Sequence, residues 1–200
     1  MYRNPQIYNN IGCLFVHVPK TAGTSIEKCL QEVNDKQQVV GGHSTCDALI
    51  KHKTKDFSNL FTFTIVRNPW DRLVSAYLYM HKMGTSDILG NSEIKEYKTF
   101  DSFVAEYCNE KTINENMHLK PQHLFLCVNG KLAVDYWGKY EELEHSWKII
   151  CKKINKNIKL PWLNKSNESR EYKSYYTSQT KEKVRKLYMK DIQLFNYTFD

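Results

Sequence analysis

Two groups of side chains in this chain are suited to holding anions: Lys20, Thr21, Thr24 and Ser25 around one short loop, and Arg67 with Ser75 further along. Lysine and arginine bring full charges, the hydroxyls bring donors, and the arginine fork matches the geometry of a phosphate. Each group needs an element to aim it. Ile11 to Val18 is mostly apolar, as a parallel strand covered on both faces would be. Pro19 then stops ladder pairing because it has no N–H. Gly23 permits a tight turn, and Thr24 or Ser25 is expected to cap a helix whose apolar positions are Ile26, Leu30 and Val33. The free amides and positive dipole end of that helix would face the loop, where an anion is favoured. Taken alone, the segment reads more readily as an ordinary strand–turn–helix with an exposed lysine.

Leu60 to Val66 is a second apolar strand, and it delivers Arg67 at its carboxyl end. Asn68 suits the N-cap, Pro69 the first helical position and Asp71 the first turn. Leu73, Val74, Tyr77 and Leu78 make the buried stripe of the helix. Arg67 is thus expected at the sheet edge where open α/β folds bind ligands, with Ser75 leaning over the same site. Singly, Arg67 would pass for a surface ion pair and Ser75 for a packing residue. Together with the first loop they imply a ligand carrying two separated phosphates. Nucleotide hydrolases end a strand with a magnesium-holding aspartate and close their loop with Gly-Lys-Ser/Thr; neither feature is present, so no metal is expected.

Pro19-Lys20-Thr21-Ala22-Gly23-Thr24-Ser25 resembles the 5′-phosphosulfate loop of sulfotransferases that use 3′-phosphoadenosine 5′-phosphosulfate (PAPS). Arg67-Asn68-Pro69 with Leu73-Val74-Ser75-Ala76-Tyr77 resembles their 3′-phosphate segment. His118-Leu119-Lys120-Pro121-Gln122, the stretch Val134 to Leu143, the Tyr172 to Tyr176 region and Asp191 to Phe199 are similar to elements of the carbohydrate branch of that family. The resemblance runs from about Leu14 to Phe199. It implies that Lys20, Thr21, Ala22, Gly23, Thr24 and Ser25 hold the phosphosulfate, that Arg67 and Ser75 hold the 3′-phosphate, and that 3′-phosphoadenosine 5′-phosphate (PAP) is the product. It implies a P-loop-like, three-layer α/β fold with a mostly parallel central sheet.

The chemistry so implied is in-line transfer of a sulfonyl group to an acceptor hydroxyl, most naturally on a saccharide. His43 follows Val39-Val40-Gly41-Gly42 and is similar to the histidine proposed as general base in the hexuronic-acid 2-O-sulfotransferases; a histidine suits that work near neutral pH. Its alternative is a loop histidine capping the helix that begins near Thr45. Lys20 would stabilise charge on the leaving nucleotide, so Lys20 and His43 are the expected catalytic residues. His118 and Gln122 are the expected substrate contacts, either sharing a helical face or separated by Pro121, with Gln122 opening a strand from Leu124 to Val128. His17, His52, His81, His123 and His145 are expected to be structural or surface residues.

The chain of 200 residues is expected to form one domain with the C-terminal basic lid and helix included. It has no apolar leader and no membrane-length apolar run, which predicts a cytoplasmic protein if full length and a Golgi-lumen protein if trimmed. Its six cysteines show no C-x-x-C pair and are expected as buried free thiols. The net charge of +7 is uneven: Lys148 to Lys190 holds 13 basic and 3 acidic residues. That third would attract an anionic glycan or the donor, or else is a solvated face. Two rival functions stand beside sulfonyl transfer: a small-molecule kinase of related topology, and a non-catalytic binder of nucleic acid or glycan built on the basic third, with Tyr172, Tyr175 and Tyr176 among its lysines. Within the enzyme reading no nucleic-acid partner is expected.

Other elements follow from pattern. Met83 to Thr99 reads as a mobile polar loop, and Phe100 to Tyr107 as a helix capped by Asp101. Leu124 to Val128 and Leu132 to Trp137 read as strands around an Asn129-Gly130 turn. Leu143, Trp147, Ile150 and Ile154 stripe a helix. Asn164 to Tyr176 reads as a lid with Lys173 as a phosphate contact, and Lys181 to Leu194 as the closing helix.

Overall fold

Alternating β-branched and aromatic residues from Phe61 to Val66 have no polar side chain except threonine, which fits a strand buried on both faces. In the computed structural model, which describes residues 6–34, 43–51, 59–83, 91–160 and 171–200, this segment is the strand β3. The other strands are β1 (Gln6–Tyr8), β2 (Cys13–Phe15), β4 (Cys127–Val128), β5 (Lys131–Leu132) and β6 (Tyr136–Lys139). The helices are α1 (Gly23–Val33), α2 (Cys46–Lys51), α3 (Pro69–Met83), α4 (Phe100–Ser102), α5 (Glu110–Glu115), α6 (His123–Leu126), α7 (Leu143–Lys153), α8 (Ser178–Leu187) and α9 (Met189–Leu194). The fold is mixed α/β with a mostly parallel central sheet flanked by helices, in the order β1-β2-β3-β6. Strands β2, β3 and β6 are parallel, and β1 is an antiparallel edge.

The chain divides into two compact units, Met1–Val66 with Gln122–Lys165 and Arg67–Pro121 with Ser166–Asp200. In the first, Phe63 pairs with Phe15 on one side and Tyr136 on the other. Phe15, Phe63 and Ile65 pack with Ile26, Cys29 and Leu30 of α1 and with Leu143, Trp147 and Ile150 of α7. Gly138 allows α7 that close: a Cβ there would lie 2.5 Å from the Ser146 side chain. Asp135 ties β3 to the start of β6, its carboxylate accepting from Thr62 N at 2.7 Å and its own N–H donating to Thr62 O at 2.8 Å.

The strand at Ile11 to Val18 is shorter than the pattern predicts. Asn9–Ile11 is a turn of 3-10 helix closed by Gly12 at φ 66°, and ladder pairing begins at Cys13. Past Phe15 the Val16 N–H still reaches Phe63 O at 2.9 Å, while the Val16 carbonyl accepts from the buried Thr64 hydroxyl at 2.8 Å. That bond satisfies a carbonyl which the departing chain would otherwise strand. The segment from Leu124 to Val128 is mostly the helical turn α6: Gln122 already has helical φ and ψ, and only Cys127 and Val128 pair. The Asn129-Gly130 turn stands as read, with φ of 50° and 76°. Val39 and Val40 lie outside the described residues.

In the second unit α3 buries Trp70, Leu73, Val74, Ala76, Tyr77 and Met80 against Phe100, Phe103, Val104, Ile113, Val184 and Tyr188. Asn68 caps it, as expected: its Oδ1 accepts from Trp70 N at 3.1 Å. The segment from Met83 to Thr99 is partly regular, since Asn91–Glu96 is a 3-10 helix with Ile94 wholly buried; residues 84–90 lie outside the description. The cap at Phe100 is Thr99 rather than Asp101, and the helix tightens at α4 before widening into a π-helix at Phe103–Tyr107. The closing helix is two helices that break at Tyr188, with a Thr177–Thr180 capping box at the first. Of the lid from Asn164 to Tyr176, Tyr172–Tyr175 forms a 3-10 turn with Lys173 exposed, and residues 161–170 lie outside the description.

Candidate active site

The loop after β2 adopts a conformation that ordinary side chains resist. Lys20 has φ 71° and Ala22 φ 66°, both left-handed, with Thr21 between them. A non-glycine residue held there costs about 1–2 kcal/mol. Left-handed residues alternating with ordinary ones turn successive backbone N–H groups toward one side, the geometry of an anion nest. Ala22 is the N-cap of α1, so the expected caps Thr24 and Ser25 instead sit in its first turn, Thr24 exposed and Ser25 buried. Alanine has no side-chain acceptor for the first amides, and no acidic residue lies in that turn. The Thr21 hydroxyl, expected as a donor to the anion, instead donates inward to Val18 O at 2.9 Å and fixes the loop.

Gly23 is required for a reason the sequence did not disclose. A Cβ there would stand 1.9 Å from Nε2 of His17, whose ring packs under the loop. The same ring stacks on Phe15 at 5.6 Å and donates through Nδ1 to the Glu27 carboxylate. His43 lies against it, ring centroids 4.2 Å apart, and the His43 Nδ1 donates to the backbone carbonyl of His17 at 3.0 Å. A carbonyl only accepts, so Nδ1 carries the proton and the lone pair of neutral His43 is on Nε2. Thr45, not His43, caps α2, its Oγ1 accepting from Ala48 N at 3.2 Å.

In the second unit the half-buried face of α3 is a stripe. Arg67, Asp71 and Ser75 are partly exposed, whereas Asn68 to Trp70, Arg72 to Val74, Ala76 and Tyr77 are buried. Asp71 and Ser75, four apart on α3, share a face, and Arg67 reaches it from just before the helix. Arg67 grips Asp71 with one edge of its guanidinium, Nε and Nη2 donating to the two carboxylate oxygens. Asn68 anchors the turn to the C-terminal segment, donating to Thr198 O at 2.8 Å.

His118 is buried against the Tyr79 ring, centroids 5.0 Å apart, in a turn that Asn116 shapes by accepting from His118 N. Pattern reading missed Arg72, which is 1% exposed. It donates to the carbonyls of His118, Leu119 and Lys120 and lies over the Tyr188 ring at 5.8 Å. Burial pulls its guanidinium down from the ordinary value, while Tyr188 and Asp191 favour its charge. The one available signal was an arginine inside an otherwise apolar helix stripe. Gln122 belongs to the first unit, fully buried at the start of α6.

The six cysteines are free thiols, five of them buried. Burial pushes Cys13, Cys46 and Cys108 up to about 12 and Cys29 to about 11. Among the described residues no group of His, Cys, Asp and Glu could hold a metal ion, and no helix is long and apolar enough to cross a membrane.

A relative from Archaeoglobus fulgidus, described as an uncharacterized protein, is 30% identical over 100 residues, half of this chain and 72% of that one. No solved structure matches significantly. The model of a family described as the sulfotransferase family matches residues 8–198, from β1 almost to the C-terminus, and the chain belongs to that family.

Proposed function

We propose that this chain moves a sulfonyl group from PAPS to a hydroxyl on a carbohydrate, with Lys20 and His43 as its catalytic residues. The observation that carries the reading is the Pro19–Ser25 loop. It stores backbone strain at Lys20 and Ala22 and leads straight into an eleven-residue helix whose N-cap has no side-chain acceptor. Strain of that kind persists where a ligand uses the shape. The phosphosulfate fits this loop: backbone amides from Thr21 to Thr24 would hold it, with Lys20 adding charge and Ser25 lying beside them in the first turn. Strands β2 and β3 are parallel neighbours, and in the chain the loop follows β2 while Arg67 follows β3, which supports one ligand for both. Arg67, held flat by Asp71, and Ser75 on the same stripe would take the 3′-phosphate.

PAPS supplies an activated sulfonyl group. His43 accepts the acceptor's hydroxyl proton at Nε2 while the oxygen's electron pair forms the new bond to sulfur. The bond from sulfur to the 5′-phosphate oxygen breaks, and its electron pair leaves with PAP. Lys20 stabilises the charge that appears on that oxygen. His118 and Gln122 are the proposed sugar contacts, and the carbohydrate branch rests on the likeness of their segment.

Calorimetry with PAP against ATP-magnesium tests the donor site. Tight metal-free binding of PAP, lost in Arg67→Ala, supports the reading; preference for ATP-magnesium, or no binding of PAP, overturns it. Lys20→Ala should lower turnover by about 100- to 1000-fold in a folded protein. Radiolabelled donor with a panel of saccharides identifies the acceptor, and label appearing only on non-carbohydrate hydroxyls refutes the carbohydrate assignment.

A further inference from the structure

Beneath the loop lies a cluster that the reaction above does not use. His17 reaches it in three ways: its ring supports the Cα of Gly23, its Nδ1 is bound to Glu27 on α1, and its carbonyl takes the Nδ1 proton of His43. Both side chains of the pair are largely buried, at 11% and 20% exposure. A buried carboxylate is costly unless paired, so a surface α1 would carry this glutamate more cheaply on its outer face.

We infer that His17 and Glu27 are positioning residues for sulfonyl transfer: a largely buried imidazole–carboxylate pair that holds His43 in the tautomer with its lone pair on Nε2 and balances the charge His43 gains. The inference rests on the reading of His43 as base. When Nε2 takes the acceptor's proton, His43 becomes an imidazolium whose ring lies 4.2 Å from that of His17. A second positive ring at that distance would oppose the step, and the Glu27 carboxylate that accepts from His17 Nδ1 sets a negative charge beside the pair of rings instead. The negative charge of Glu27 then sits one ring away from the new cation and favours it. The hydrogen bond from His43 Nδ1 to the His17 carbonyl also strengthens as His43 becomes charged. Among the described residues, titratable groups that face this pair include His43 and, on β1, Tyr8, whose hydroxyl is pushed up by burial and by Glu27. No proton leaves the cluster in the transfer itself: the acceptor's proton stays on Nε2 and passes to water after PAP departs.

The test follows the His43 ring resonance by NMR against pH in wild type, Glu27→Gln and His43→Ala, the last to assign the signal, together with turnover on the acceptor from the saccharide panel. In Glu27→Gln the His43 midpoint should fall by about one pH unit. Its kcat should fall about tenfold or more while the KM for PAPS stays within about twofold. An unchanged midpoint and an unchanged kcat profile overturn the inference. Should Glu27→Gln fail to fold, Glu27→Asp, which keeps the charge but withdraws it by one methylene, decides in the same way with a smaller expected shift. The two readings fail separately. Normal turnover in His43→Ala refutes His43 as base, whereas an inactive His43→Ala beside an unaltered Glu27→Gln refutes only the role given to the pair.

Discussion

Arg67 and Asp71 face each other one helical turn apart, Nε 2.7 Å from Oδ2 and Nη2 2.9 Å from Oδ1. The contact is bidentate and mostly shielded, which fixes the guanidinium plane. Asp71 also lies in the first turn of α3, where a negative charge offsets the helix dipole. Asp71→Asn keeps the size but weakens the grip, and should loosen PAP binding by about three- to tenfold. Arg67→Lys should lose more, because an ammonium cannot reproduce the fork. Calorimetric titration of the two variants with PAP orders the effects.

Ala22 and Gly23 give opposite forecasts at adjacent positions. Ala22 already occupies a left-handed φ, so Ala22→Gly relieves strain and should leave stability within about 1 kcal/mol of wild type. Ala22→Val places a branched Cβ there and should cost more than about 1 kcal/mol. Gly23→Ala drives a methyl into the His17 ring and should cost about 1–3 kcal/mol while weakening PAP binding. Urea denaturation of the three variants checks the order.

Thr64→Val replaces a hydroxyl with a methyl of nearly the same shape at a fully buried site. The Val16 carbonyl loses its partner, at a cost of about 1–3 kcal/mol. A denaturation midpoint within error of wild type would show that this carbonyl finds another donor.

The buried thiols set an alkaline limit. Cys13, Cys46 and Cys108 are held protonated up to about 12 in the fold, against an ordinary value of 9.0 once exposed. The unfolded chain therefore releases protons that the folded chain keeps. This stabilisation is complete below about pH 9 and is lost as pH rises toward 12. Stability measured from pH 8 to 11 should decline above about 9. At pH 8 a disulfide reagent should label half-buried Cys127 before the five buried thiols.

Local chemistry was legible wherever a single residue type decides the conformation. Asn68 announced a cap, Asn129-Gly130 a turn, and the apolar run at Phe61 a covered strand. Single-residue logic erred where two elements compete. Thr99 and Asp101 both suit an N-cap, and the tertiary fit of Phe100 and Phe103 chose the first. Leu124 to Leu126 look strand-like by composition, yet they form a helical turn that Gln122 opens. The Pro19–Ser25 loop was visible as a motif, but its strain at Lys20 and Ala22 was not, since neither residue advertises a left-handed φ. Arg72 and Glu27 escaped because a charged residue in an amphipathic pattern reads as solvent-facing until its partners are known. Those partners, the carbonyls at 118–120 and His17, are set by the folded path rather than by local spacing.

Strand β3 finds its neighbour β6 only after the whole excursion from Arg67 to Pro121 has been made. On a ribosome adding about 5–20 residues per second, Phe63 and Ile65 would wait several seconds for Tyr136 to Lys139 to emerge. Throughout that interval one edge of an apolar strand stays open to any passing chain. Expression conditions that slow translation between those segments should therefore raise the share of aggregated product, and a chaperone that shields nascent strands should lower it.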